Sequence, residues 1–249
     1  MITSQWLGAN LLTAKSKAVI DKSKVALAKA LTFTAEAVRK AEKDEMLRVF
    51  DRPTPYTLRS LYLAWATPQK LEARVWFKGA DTGGFHYLKP QVYGGDRKQK
   101  LFESLFNTIG IQAGEMTRSE FYIVPGSAAK LDAYGNISRG QLRQILSALG
   151  KGARTLGYSA NRTAASAKRK GKKLENYFVG APGNGSQPFG VWQRFGFALG
   201  SAVKPVLVFV RKPRYKARFD FHGVAKRVAQ IEFPGTLARE MSRVKGFPA

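Results

Sequence analysis

The chain contains no cysteine, which excludes disulfide staples, thiolate nucleophiles and cysteine-ligated zinc together. It has only two histidines, His86 and His222. Neither has a neighbour at metal-ligand or triad spacing, so both read as packing or surface residues. Acidic residues are scarce: 17 Asp and Glu stand against 42 Lys and Arg, a formal net charge of +25. The carboxylates Asp44, Glu45, Asp81, Asp96, Asp132 and Asp220 show no pairing pattern suited to acid–base or metal work. Asp44 and Glu45 read instead as balancing Lys43 and Arg48 on a solvated helix face. Long hydrophobic runs are missing as well. No stretch approaches the ~20 apolar residues that span a bilayer. The opening MITSQWLGANLLTAKSK lacks a basic n-region, and Gly8 and Asn10 break its apolar patch, so a signal peptide is not expected. These absences point to a non-catalytic protein with no cofactor, no metal and no membrane span.

What is present is an ordinary globular composition under an extraordinary charge. At 249 residues and 44% hydrophobic, the chain suits one large domain, or one domain carrying an insertion. A charge excess of this size says little about fold and much about partners, favouring nucleic acid, an acidic membrane or a negatively charged protein surface. The longest apolar run is Pro205-Val206-Leu207-Val208-Phe209-Val210. It is short and apolar on both faces, and reads as a buried central strand. Directly after it, Arg211, Lys212, Arg214, Lys216 and Arg218 alternate with Pro213, Tyr215, Ala217 and Phe219. A core strand therefore runs into an extended basic ribbon. A second basic cluster, Lys168, Arg169, Lys170, Lys172 and Lys173, lies in the polar stretch 151–175, which reads as a loop.

From Asp21 or Ser23 to about Phe50, Leu27, Leu31, Ala35, Val38, Ala41 or Glu42, Met46 and Val49 recur at helical steps. With no Gly or Pro inside it, the segment predicts one helix of ~40 Å at ~1.5 Å per residue. Pro53 and Pro55 end it. Residues 1–22 either extend this helix or form a separate arm. Leu58–Ala66 and Leu71–Lys78 predict a hairpin, and Gly79–Arg97 an aromatic, glycine-rich loop. A short helix is expected over Lys98–Gly110, a strand over Glu120–Val124, and a helix opened by Ser138 through Leu149. Order is expected to resume at Tyr177. The glycines of GAPGNGSQP lack the order and helix entry of a phosphate cradle, so they read as a turn. Phe221–Phe233 and Gly235–Val244 read as helices on either side of Pro234. Trp65, Trp76 and Trp192, within expected strands, read as core rather than as base-stacking platforms. The fold class expected is α+β: a long N-terminal helix on a mainly antiparallel sheet, with a mixed insertion and C-terminal helices. Its expected parts are an arm (1–22), a core (23–78 and 176–249) and an insertion with the basic loop (79–175).

Three features in this order resemble a known family: the long N-terminal helix, the hinge Pro-Thr-Pro-Tyr-Thr-Leu-Arg-Ser-Leu (53–61), and the module from Gly190-Val-Trp-Gln-Arg-Phe-Gly through Lys204-Pro-Val-Leu-Val-Phe-Val to Phe221. Together they resemble tail-completion or neck proteins of tailed bacteriophages, the group of minor tail protein Z. Pro55-Tyr56-Thr57-Leu58-Arg59 keeps the proline, threonine and Leu-Arg of that family's hinge but lacks its glycine. The resemblance covers about residues 25–78 and 176–245. It implies a structural virion protein at the head–tail junction, made in the host cytoplasm. It would form a homo-oligomeric ring and contact portal, adaptor or tail-tube proteins, with possible non-specific DNA contact by the two basic segments. The reading from another class is a non-catalytic, sequence-independent nucleic-acid-binding protein. A nuclease or other DNA-processing enzyme is the third.

Overall fold

The computed structural model describes residues 7–79, 86–112, 121–149, 177–197 and 200–244. The fold is α+β, with a long N-terminal helix packed on a C-terminal helix and antiparallel sheets. The chain forms two compact units, a first made of Met1–Gly94 with Lys216–Ala249 and a second, Gly95–Tyr215. The boundaries expected at 79 and 176 thus differ from those observed, for a reason that lies in strand pairing.

In the first unit, α1 (Leu7–Val49) is one helix of 43 residues, about 65 Å long at ~1.5 Å per residue. It runs through much of the segment set aside as an arm. Ala26, Ala30, Thr34, Ala35, Val38, Glu42 and Met46 are buried along it, a stripe at three- and four-residue steps. Of the two candidates at the fifth step, the buried one is Glu42. The helix stops at Phe50, whose amide still bonds the Met46 carbonyl at 3.0 Å. Arg52 then adopts the left-handed conformation, φ 45°, and Pro53 follows. Thr54 caps the short helix α2 (Pro55–Leu58), its hydroxyl accepting from the Thr57 amide at 3.2 Å. This is the expected hinge. Strands β1 (Leu61–Ala64) and β2 (Arg74–Phe77) pair antiparallel, Leu61 opposite Phe77, forming a shorter hairpin than the sequence suggests. After α3 (Lys89–Tyr93) the chain leaves this unit and returns as the final helix, Phe221–Met241. Met46, Leu61, Phe77, Leu88 and Phe219 form its core.

The second unit is built on a four-stranded antiparallel sheet, β4 (Tyr122–Pro125), β7 (Gly200–Val210), β6 (Gly190–Phe197) and β5 (Tyr177–Gly180), in that spatial order. The expected central strand is indeed flanked on both sides. Because β4 pairs with β7, the sheet closes within the middle of the chain, and residues 176–215 belong with 95–149 rather than with the β1–β2 hairpin. Helices α4 (Leu101–Gln112) and α5 (Arg139–Ala148) supply its cover. Phe106, Leu142, Ile145 and Leu146 pack on Ile123, Val191, Val206, Leu207 and Phe209. Ser138 caps α5 as expected, accepting from the Gln141 amide at 3.3 Å.

Val206 and Leu207 are adjacent and both are fully buried, which a regular strand with only one covered face does not allow. The pairing explains it. Val191 faces Leu207 but Trp192 faces Pro205, so Val206 is the extra residue of a bulge. Pro205, which has no amide to give the ladder, occupies the irregular position where proline is tolerated. Two glycines allow backbones to close around this point. A Cβ on Gly190 would lie 2.1 Å from the Leu207 carbonyl oxygen, and one on Gly126 would lie 2.4 Å from that of Pro205.

The final helix, α6 (Phe221–Met241), runs through Pro234, where the sequence suggested two helices. The Thr236 hydroxyl lies 2.9 Å from the Glu232 carbonyl and 3.0 Å from that of Phe233, supplying a donor in the turn where proline removes one. Packing on α1 holds the two halves in line.

Candidate interaction surface

The strand β7 carries the surface features of the second unit at its two ends. Its centre is buried, but its first residues are not. Residues Gly200–Lys204 are exposed and pair with β6 alone, because β4 reaches only to Leu207 and β5 only to Gln193. The distal parts of β6 and β7 therefore form a two-stranded arm with exposed residues on both strands. Phe195 and Val203 are exposed there. Lys204 lies over the Phe195 ring at 5.6 Å, and Arg194 over Phe178 at 4.7 Å. A two-stranded ribbon without a covered face gains little stability from its own packing, which suits a contact element better than a load-carrying one.

At its other end β7 passes into the basic ribbon. Arg211, Lys212, Arg214, Lys216 and Arg218 are all exposed, but they are not equivalent. Lys212 forms an ion pair with Asp96 at 2.9 Å. Arg218 donates to the Gln91 side-chain oxygen at 2.6 Å and lies over Phe50 at 5.2 Å. Arg211, Arg214 and Lys216 have no ion-pair partner among the described residues. These three are the cations left for an outside partner.

The ribbon is held by a network beneath it. Strand β8 (Arg214–Tyr215) pairs antiparallel with β3 (Gly95–Asp96). The next residue, Arg97, donates to Tyr215 Oη at 3.2 Å, lies over the Tyr122 ring at 4.6 Å, and makes a forked bond to Glu103 at 2.6 and 2.5 Å. Glu103, with no exposed surface, also accepts from the amides of Lys100 (2.7 Å) and Ile123 (3.0 Å). Burial pushes the Glu103 carboxyl up, but Arg97 and the two amides pull it further down, below the usual carboxylate range. The Arg97 guanidinium is correspondingly stabilised in its charged form, chiefly by its bonds to Glu103. The result is a forked ion pair, its carboxylate buried and its guanidinium partly exposed, that ties β3, β4, α4 and the ribbon together.

In the first unit, Trp65 is 70% exposed, contrary to its expected place in the core. With Val25, Ala28, Phe33 and Pro68 it lines a shallow hollow of about 240 Å³, and Arg239 lies over Phe33 at 5.9 Å. Trp192, by contrast, is buried, and Trp76 is half-buried against Tyr62. His86 stacks on Phe77 at 4.6 Å, its Nδ1 accepting from the Leu88 amide at 3.2 Å, and burial lowers its pKa. His222 Nε2 lies 2.7 Å from Tyr93 Oη. Among the described residues no group of three or more His, Asp or Glu is placed to hold a metal ion, and no helix is long and apolar enough to cross a membrane. The cluster Lys168, Arg169, Lys170, Lys172 and Lys173 lies outside the described residues. No protein-family model, curated protein or solved structure matches the chain.

Proposed function

We propose that the chain is a structural virion protein of a tailed bacteriophage, a tail-completion or neck component of the head–tail junction that assembles as a ring. The observation that carries this reading is β7 itself: a strand locked in a core by its middle, with a two-sided arm at one end and, at the other, a basic ribbon of which Arg211, Arg214 and Lys216 have no ion-pair partner among the described residues. That is the form of a part made for contact. The family resemblance of residues 25–78 and 176–245 supports the same reading, and so does the exposed Trp65 hollow.

In this mechanism copies meet head-to-tail, a heterologous contact whose rotation closes a ring. The arm and the exposed helix faces make the contacts between copies. Arg211, Arg214 and Lys216 meet acidic neighbours such as portal, adaptor or tail-tube proteins, or the phosphates of passing DNA without reading their sequence. No catalytic step, cofactor or metal is part of this function. The protein is made in the host cytoplasm and carried in the virion. The second reading, a free sequence-independent nucleic-acid-binding protein, is favoured by the same three cations.

Charge decides the test. Subunits carrying +25 repel one another at low ionic strength, and salt screens that repulsion over ~8–10 Å near physiological strength. Mass photometry of the purified chain over a salt series is expected to show one closed oligomer growing as salt rises, with modest DNA affinity. A monomer at every salt concentration, with DNA binding that falls steeply as salt rises, would transfer the assignment to the second reading.

A further inference from the structure

The α1–α6 pair is antiparallel and thinly glued. The Thr34 and Thr236 hydroxyls meet across it at 3.1 Å; α1 buries small residues such as Ala26, Ala30, Thr34 and Ala35 beside Val38 and Met46, and α6 buries Val224, Thr236 and Glu240. Into this contact α1 inserts Glu42. Glu42 has no exposed surface, and among the described residues neither carboxylate oxygen has a partner at hydrogen-bond geometry, the Ala225 backbone being near enough only for a weak pull. Glu240, the other buried acid here, is instead paired with Arg243 at 2.7 Å. The charges acting on Glu42 are Glu45 on α1, Asp220 at the N-cap of α6, and Arg227 within α6; none from β1 or β2, the strands that also lie on α1, is among them. Neither nearby guanidinium is free to compensate it, because Arg227 holds Asp220 at 3.1 Å and Arg48 holds Glu45 at 2.5 Å.

An ionised carboxylate in such a place would be desolvated, unbonded and flanked by two like charges. We propose that Glu42 makes the α1–α6 pair a proton-held latch: the helices close over the neutral acid and part when it loses its proton. An apolar groove of about 740 Å³, lined by Val38, Ala225 and their neighbours on α1, β2 and α6, begins one turn away and offers water its shortest way in. Burial first, then Glu45 and Asp220, raise the Glu42 pKa to about 8, against a weaker pull from the Ala225 backbone and Arg227. The sign follows. An acid whose pKa is raised in the folded state contributes most below its unfolded value, and that contribution is lost as pH climbs to the folded value. The latch is therefore tightest in mild acid, loosens steadily as pH rises towards about 8, and loosens no further above it. This inference concerns the helix pair alone and stands whatever the partner of the ribbon is.

The absence of native cysteine makes the test direct. Spin labels on Lys43→Cys and Lys226→Cys, both exposed positions on the two helices, report their separation by pulsed electron resonance. One short distance is expected at about pH 5, with a longer population growing up to about pH 8 and level from there to about pH 9.5. The same labels with Glu42→Gln should keep the short distance throughout. A melting series on unlabelled protein gives a second readout: Tm of the native chain should fall relative to Glu42→Gln between about pH 5 and about pH 8, then run parallel. Distances that do not change with pH in the native background, or that change equally with Gln at position 42, would overturn the latch, as would parallel melting curves across the whole range.

Discussion

Glu103→Ala is expected to remove about 3–5 kcal/mol of stability, the usual cost of breaking a buried ion pair from one side. The substitution leaves the Arg97 guanidinium without its forked partner and strips two amides, those of Lys100 and Ile123, of their acceptor. All three donors lie where β4, α4 and the segment after β3 meet; the Arg97 side chain keeps 17% of its surface exposed, so water there offsets part of the loss and the lower end of that range is expected. Urea denaturation followed by circular dichroism reads the loss as a lower midpoint. Replacing both partners together, Glu103→Leu with Arg97→Met, is expected to cost less than either single change, because no charge is then stranded. The pH dependence has a definite sign. Glu103 is held below its ordinary range, so its contribution is present above the unfolded carboxylate pKa and is lost as pH falls through the lowered value. A flat acid limb in the Glu103→Ala variant, beside a falling one in the native chain, is the expected signature.

The second large effect is on binding and leaves stability nearly untouched. Arg211→Gln, Arg214→Gln and Lys216→Gln together remove the three ribbon cations that have no ion-pair partner among the described residues. Each lost phosphate contact lowers the salt slope of binding to duplex DNA by about one, so the triple variant should lose up to about three from that slope and bind weakly at low salt. Toward an acidic protein partner the same variant should associate more slowly and show less salt dependence. Exposed substitutions away from a cap or core typically change stability by less than about 0.5 kcal/mol each. Lys212→Gln and Arg218→Gln are the controls: these cations are already engaged by Asp96 and by Gln91 with Phe50, so each should cost less binding than any of the three. Equal effects from all five positions would mean that the ribbon acts by charge density alone.

The parts of this fold that could be read from the chain are those written locally. The stripe from Leu27 to Val49 announces a helix, Pro53 and Pro55 announce its end, and Ser138 announces the start of α5. The run Pro205–Val210 announces a strand covered on both faces. What could not be read depends on which local pieces meet. Alternation makes Tyr122–Pro125 a strand without naming β7 as its partner, and that partnership alone moves 176–215 into the second unit. Helical spacing leaves Ala41 and Glu42 as equal candidates for the buried stripe; only the docking of α6 selects the acid. Arg97 and Glu103 lie six residues apart across a helix start, and no periodicity joins them. They meet because β3 pairs with the short strand at Arg214–Tyr215, more than a hundred residues on. Trp65 misled because its strand ends at Ala64, and one residue beyond a strand no pleat directs a side chain inward. Pro234 misled in the opposite direction, since packing on α1 keeps a helix intact that propensity alone would break.

The central claim is that this chain works by being built into a particle, through surfaces and without a reaction. Quantitative mass spectrometry of tailed-phage particles purified from cells that carry the gene tests this proposal most directly. A fixed number of copies per particle, the same in every preparation and lost together with the tail or neck, is the predicted result. Particles that are complete and infectious without the chain would contradict it.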